Sequence, residues 1–457
     1  MCSMPATQLY TPSEPSIPAT YTDSVTIPAP LQKDPPKKGS IMQKILGIGV
    51  PIMMGVMMIV MFRVMGSNGG ARRVMMMMMG MMMLMTLVQT ISQAFGGGGE
   101  ADTLNTDRQN YFLTLEKSRD KAHEIGRSQH NVQRWLYPNP KSLVTLINSR
   151  HRTMWAARPA EDESDMTFEH DDLLASKNSD QSADTWMKAR VGTGAIALSP
   201  HLEVDNPDSV APEMLEPVTY QAYANFMTAQ SLVPLAPLPV SMDRPAVSMR
   251  GDKTRRRDFV RSMVVSMAYN HSPAMVMMGI VTDKEHASEW EWMKWLPHTA
   301  NRFEPADNYG FPMLRWSNFE EAHRYIASHY NVISALRGRL LIVVDTPNAA
   351  LRPPLNYETI PGVTFLIVDS ADDSRMTHIE DRLHLSDEGK FSAYDMLDIA
   401  DADFVSVDEA DSIARAMAGI QPPGFVHIEV ENAEDAGQAA VVSTAKAPEL
   451  LLSLIHI

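Results

Sequence analysis

RLLIVVD at 339–345 decides the fold, read together with AMVMMGIV at 274–281 and VTFLIVD at 363–369. Each is a short run rich in Val, Ile and Leu, bounded by turn residues and without polar alternation. Strands of that kind are buried on both faces, as in parallel sheets covered by helices. Helical segments are expected at about 253–269, 318–336 and 406–418, so strand and helix alternate. The expectation is a three-layer α/β domain over 246–440, with a largely parallel sheet.

Outward from that core the chain changes character. The stretch 186–245 reads as a strand-rich connection: WMKARVGTGAIAL (186–198) alternates and turns at Gly192 and Gly194, and LVPLAPLPVSMDRP (232–245) is a Pro-rich extended link. Residues 159–185 are an acidic loop expected to be mobile. Upstream, 100–158 reads as stalk helices. Leu104, Tyr111, Ser118, Ile125 and Val132, with Leu115, Ala122 and Leu136, form a seven-residue stripe on one of them. That stripe suits packing on a partner or, as readily, on the chain's own domain.

Two apolar runs, at about 45–62 and 74–92, flank the linker RVMGSNGGARR (63–73). Eighteen helical residues rise about 27 Å, close to the thickness of a bilayer core. The expectation for 41–95 is therefore a transmembrane hairpin. Arg63, Arg72 and Arg73 in its loop are outvoted by Lys33, Lys37, Lys38, Lys44 and Arg108 outside it. That places both termini in the cytoplasm. Residues 1–40 carry no signal peptide and read as a disordered Pro-rich tail. Residues 441–457 end abruptly in LSLIHI and read as a truncated segment, with 452–457 suspect as foreign.

Composition excludes several classes of function. The 457 residues carry a net charge of −15, and the portion after residue 95 holds 33 basic against 52 acidic groups. A body that acidic is poorly suited to neutralising phosphates, so no nucleic-acid partner is expected. The single cysteine, Cys2, cannot form an internal disulfide framework.

A nucleotide site needs a glycine-rich phosphate loop, GxxxxGK[ST], after a strand. The only local candidate, AVSMRGDKTRRRDFVRSMVVSM (246–267), offers one glycine, Gly251. Asp345 closes an apolar strand where a magnesium-supporting acid would stand, but Thr346-Pro347 follows it and no Glu does. Gly251 and Asp345 are thus weak cofactor-binding candidates. Arg250, Lys253, Arg255, Arg256 and Arg257 crowd a helix start, where the dipole disfavours cations. They form either a solvated face or a contact for an anionic partner. The fourteen histidines are scattered; no catalytic constellation and no metal site emerges.

One string is not explained by amphipathicity: Trp290-Glu291-Trp292-Met293-Lys294-Trp295-Leu296-Pro297-His298. Its plainest role is rigid aromatic packing. It also resembles a string of the EccC family, FtsK/SpoIIIE-type membrane ATPases of actinobacterial type VII (ESX) secretion systems. The likeness continues in order through Trp135–Pro138, Arg158-Pro159, Val191-Gly192-Thr193-Gly194, the strand–Gly251-Asp252–helix unit, His271-Ser272-Pro273 and Pro448-Glu449-Leu450-Leu451. The resemblance implies an inner-membrane multi-pass protein with a degenerate ATPase-like domain after its stalk. It implies tandem motor domains downstream that use ATP and Mg, and core partners similar to EccB, EccD and EccE. Self-association into a ring and handling of secreted substrates through those motors follow from it as well. No catalytic residue carries over, because the family's Walker positions are absent. The alternatives are the anchor of a DNA translocase of the same superfamily, or a nucleotide hydrolase with a non-standard site at Gly251 and Asp345.

Overall fold

The computed structural model describes residues 7–12, 18, 24–33, 53, 55–57, 59–60, 77–78, 80–82, 84–86, 98–159, 185–205, 212–252, 254–308, 310–330, 333, 338–346, 361–368, 382–393 and 400–428. The acidic loop at 160–184, Lys253, the segment 441–457 and most of 41–95 lie outside the described residues. The chain divides into two compact units. Met1–Ser24, Ala122–His201 and Ser231–Ile457 form one, and Val25–Lys121 with Leu202–Gln230 form the other.

In chain order the elements are β1 (Gln8–Leu9), β2 (Val25–Ile27), α1 (Gly98–Leu136), α2 (Leu143–Asn148), β3 (Lys188–Ala197), β4 (Leu202–Val204) and α3 (Pro217–Gln230). Then follow β5 (Leu232–Ser241), β6 (Ala246–Gly251), α4 (Arg256–Asn270), β7 (Val276–Thr282), α5 (Ala287–Trp290), β8 (Arg315–Trp316), α6 (Phe319–Ser328) and β9 (Arg339–Asp345). Last come β10 (Val363–Ile367), β11 (Arg382–Leu385), β12 (Lys390–Ala393), β13 (Ala400–Ala402), α7 (Val407–Met417) and β14 (Ile420–Gln421).

The first unit is built on a ten-stranded sheet in the order β5-β3-β13-β12-β11-β6-β10-β9-β7-β8. From β11 to β8 all neighbours are parallel. From β5 to β11 all are antiparallel. The sheet is therefore mixed rather than largely parallel. The stretch 186–245, read as a connection, supplies two of its strands. β5 tolerates Pro234, Pro237 and Pro239 because it is an outer strand, where a missing N–H need not break a ladder on both sides.

The three apolar runs form β7, β9 and β10, and every residue of these strands is buried. Alternation splits them between two faces. Met277, Val281, Leu340, Ile342, Val344 and Phe365 pack with Phe319, Ala322 and Ile326 of α6. That helix is capped by Asn318, whose side chain accepts from the Glu321 N–H at 2.9 Å. The residues of α4 are buried almost throughout but belong to no part of that cluster.

The seven-residue stripe of α1 is buried from Tyr111 onward, whereas its first member, Leu104, is exposed. Tyr111, Leu115, Ser118, Ala122, Ile125, Gln129, Val132 and Leu136 are all buried. Within the first unit, Gln129 donates to the Ala197 carbonyl at 2.8 Å and accepts from the Ser199 N–H at 3.0 Å. It satisfies the end of β3 where the ladder stops. Within the second unit, Tyr111 and Leu115 pack with Ile27 and Phe226. There β2 pairs parallel with β4, and Arg108 meets Glu216 at 2.6 Å.

The membrane expectations do not stand. Among the described residues no helix is long and apolar enough to cross a membrane. The transmembrane hairpin at 41–95, with spans at 45–62 and 74–92, is withdrawn. Placement as a multi-pass inner-membrane protein with both termini cytoplasmic goes with it. Apolar length is necessary for a span but not sufficient. The described helical residues of each run, 53–60 and 77–86 with gaps, are too few to make one.

Candidate functional site

The parallel strands β6, β9 and β10 bring their C-terminal ends to one edge of the first unit, where open α/β sheets hold their ligands. Gly251 ends β6 at φ 95°. A Cβ there would stand 1.9 Å from the Leu385 carbonyl oxygen of the paired strand β11. The glycine thus serves close strand pairing rather than a phosphate cradle. The following turn is closed by Asp252, which accepts from the Thr254 N–H at 2.8 Å and its hydroxyl at 2.7 Å. These are the bonds of an Asx turn.

Asp345, the last residue of β9, is completely buried. Its Oδ2 accepts from Arg257 Nε at 2.7 Å and from the Trp290 indole Nε1 at 2.7 Å. Its Oδ1 accepts from Arg257 Nη2 at 3.2 Å. Arg257 lies in the first turn of α4, where a phosphate-loop protein places the groups that hold phosphate and metal. The guanidinium supplies the positive charge that balances the buried carboxylate. With three donors on it and no glycine-rich loop beside it, Asp345 does not fit a bound Mg–nucleotide.

Trp290 is the member of the Trp string that bonds to Asp345. Trp290 and Trp292 are buried, and Trp292 Nε1 donates to the Glu289 carbonyl at 3.1 Å. Trp295 is half-buried, with the Arg415 guanidinium 4.3 Å from its ring. Pro297 opens the final turn, and His298 is wholly buried with Nε2 donating to the His271 carbonyl at 2.8 Å. Burial drives the His298 pKa down to about 4, against the weaker raising effect of that hydrogen bond.

The basic residues go to different places. Arg255 lies over the Phe404 ring at 3.8 Å, Arg256 is buried, and Arg257 is committed to Asp345. Arg250 is half-buried on β6, with its Nε buried and without a hydrogen-bond partner. Among the described residues no group of acids, histidines or cysteines could hold a metal ion. Sequence reasoning singled out Arg257, Trp290 and Asp345 separately but not their convergence. They are 88 and 55 residues apart along the chain, and no local pattern links them.

No protein-family model matches the chain. Curated proteins do. EccC4 of the ESX-4 system of Mycobacterium tuberculosis is 26% identical over 265 residues, 57% of this chain and 19% of its own length. EccC of Thermomonospora curvata is 24% identical over 336 residues, 70% of this chain and 24% of its own. EccCa1 of the M. tuberculosis ESX-1 system is 27% identical over 344 residues, 72% of this chain and 42% of its own. The chain is a homologue of the EccC proteins. It spans less than half the length of these EccC relatives. Among solved structures, the cytoplasmic domain of T. curvata EccC covers 41% of this chain at 14% identity and a TM-score of 0.28. ATPases 2 and 3 of EssC from Geobacillus thermodenitrificans cover 46% at 10% identity and a TM-score of 0.30.

Proposed function

We propose that this chain is the regulatory and coupling part of a type VII secretion ATPase, and that its own ATPase-like domain does not hydrolyse nucleotide. The observation that carries the second half is the occupation of Asp345 by Arg257 and Trp290. A phosphoryl-transfer site needs a carboxylate free to hold Mg²⁺ and a loop that wraps phosphate; here Asp345 is held by Arg257 and Trp290, and the sequence after β6 offers the single glycine Gly251. The EccC relatives support the first half. On this reading α1 is a stalk that passes strain between the ATPase-like domain and the rest of the assembly. ATP and Mg act in other domains of such proteins. The partners are EccB-, EccD- and EccE-like core components and further copies of the chain in a ring. Secreted substrates are handled elsewhere, and no nucleic acid is bound.

Co-expression of the tagged full chain with the EccB-, EccD- and EccE-like components of its host tests the assignment. Co-elution through affinity and size-exclusion steps is expected. A chain that elutes alone, leaving all three behind, contradicts it.

A further inference from the structure

β5 is an outer strand of the large sheet and pairs with β3 alone. Along that pair Ala236 faces Gly194 and Val233 faces Ile196. Pro234 and Leu235 therefore stand opposite the single residue Ala195, a β-bulge. Leu235 adopts φ 54° in it, the left-handed conformation that such bulges ordinarily give to glycine. Its side chain is 69% exposed. A leucine so placed gains little burial to offset its strained backbone, and strain of that kind marks functional sites.

Leu235 lines a cavity of about 500 Å³ formed with the last turn of α1, the segment 138–153 and β3. That volume suits a small ligand, since such sites typically enclose about 300–1,000 Å³. Its chemistry is one-sided: no carboxylate lines it, whereas two arginines and two histidines do. Arg190 is already compensated, with Nε on Asp403 at 2.6 Å and Nη1 on the Tyr137 carbonyl at 2.8 Å. His130 Nε2 is engaged with the Leu235 carbonyl oxygen at 3.1 Å. Burial, helped by the neighbouring Arg152, lowers the pKa of His151 and so disfavours its charged form. Arg134 remains, exposed and in no ion pair among the described residues. Trp135, Leu146 and Leu235 supply apolar wall. One uncompensated cation beside apolar surface matches a monoanion with an apolar body. It matches a phosphate group poorly, since that brings a charge of about −1.5 to −2.

We propose that this cavity binds an amphipathic carboxylate, with the Arg134 guanidinium on the carboxylate and Trp135 and Leu235 against the apolar part. That group can come from a free medium-chain acid or from the C-terminal residue of an apolar peptide. Isothermal titration calorimetry of the full chain separates the two, using octanoate and acetyl-trileucine as acids and their amides as neutral controls. Saturable binding of at least one acid is expected, and the acid that binds more tightly identifies the source. The amide form or Arg134→Gln should weaken it about tenfold or more, the loss expected for a hydrogen bond to a charged group. Leu235→Gly distinguishes a binding role from a structural one: glycine suits the bulge, so thermal stability holds or rises while affinity falls. Absence of saturable heat with both acids at millimolar concentration overturns the proposal. So does unchanged affinity in either Arg134→Gln or Leu235→Gly.

Discussion

Replacing Arg257 by alanine should cost far more stability than a surface arginine does. Asp345 is fully buried, and Arg257 gives it two of its three hydrogen bonds, at 2.7 and 3.2 Å. Removing one partner of a buried pair leaves an uncompensated charge and typically costs about 3–5 kcal/mol. The Arg257 side chain is 26% exposed and the Trp290 bond survives the substitution, so the lower end, about 3 kcal/mol, applies. Urea unfolding at pH 7, followed by circular dichroism, reads this directly. Adding Asp345→Asn to Arg257→Ala removes the stranded charge while keeping an oxygen for the Trp290 indole. The double variant should regain a substantial part of the loss. Two results would refute the reasoning: a cost for Arg257→Ala below about 1 kcal/mol, the range of an exposed pair, or a double variant no more stable than Arg257→Ala alone.

Other perturbations probe the same framework. Gly251→Ala should destabilise by more than about 2 kcal/mol, because it combines a positive φ with a Cβ driven onto the Leu385 carbonyl; thermal melting checks it. Gln129→Leu should cost about 2 kcal/mol in urea, since the Ala197 carbonyl and Ser199 N–H each lose a buried partner. A cost near zero would show that water replaces the amide. His298 makes stability pH-dependent. Its folded pKa of about 4 lies below the ordinary 6.5, so the unfolded chain takes up the proton first. Its contribution is complete above pH 6.5 and is lost as pH falls towards 4, by up to about 3 kcal/mol. Urea midpoints at pH 7 and 4.5 should differ less in His298→Gln than in the parent. An unchanged difference would show that other groups account for the drop.

What could be read in the sequence was what is local. RLLIVVD is β9 residue for residue, because a doubly buried strand is apolar along its middle, here Leu340–Val344, with its charged residues kept to the two ends. The helix beginning after Gly251 and the seven-residue stripe of α1 follow from periodicity and turn chemistry alone. The polar members of that stripe were not anomalies. Gln129 is buried because it finishes a neighbouring strand. The antiparallel half of the sheet was not legible, since it rests on pairings such as Gly194 with Ala400 that no window contains. The prolines of β5 left a linker and an extended connection both open in the sequence, and an outer strand accommodates them. The Met-rich runs led furthest astray, since apolar length and membrane crossing are different properties. At the candidate site each participant was visible, but the partnership was not. A carboxylate at a strand end looks the same in sequence whether a metal ion or an arginine holds it. The strained Leu235 carried no signal at all.

On the proposed function, Arg257 and Trp290 hold Asp345 in place of a Mg–nucleotide. Titration of the full chain with ATP, with and without Mg²⁺, by isothermal calorimetry tests it most directly. No Mg²⁺-dependent binding up to millimolar ATP is expected. Micromolar, Mg²⁺-dependent affinity that is lost in Asp345→Asn would contradict it.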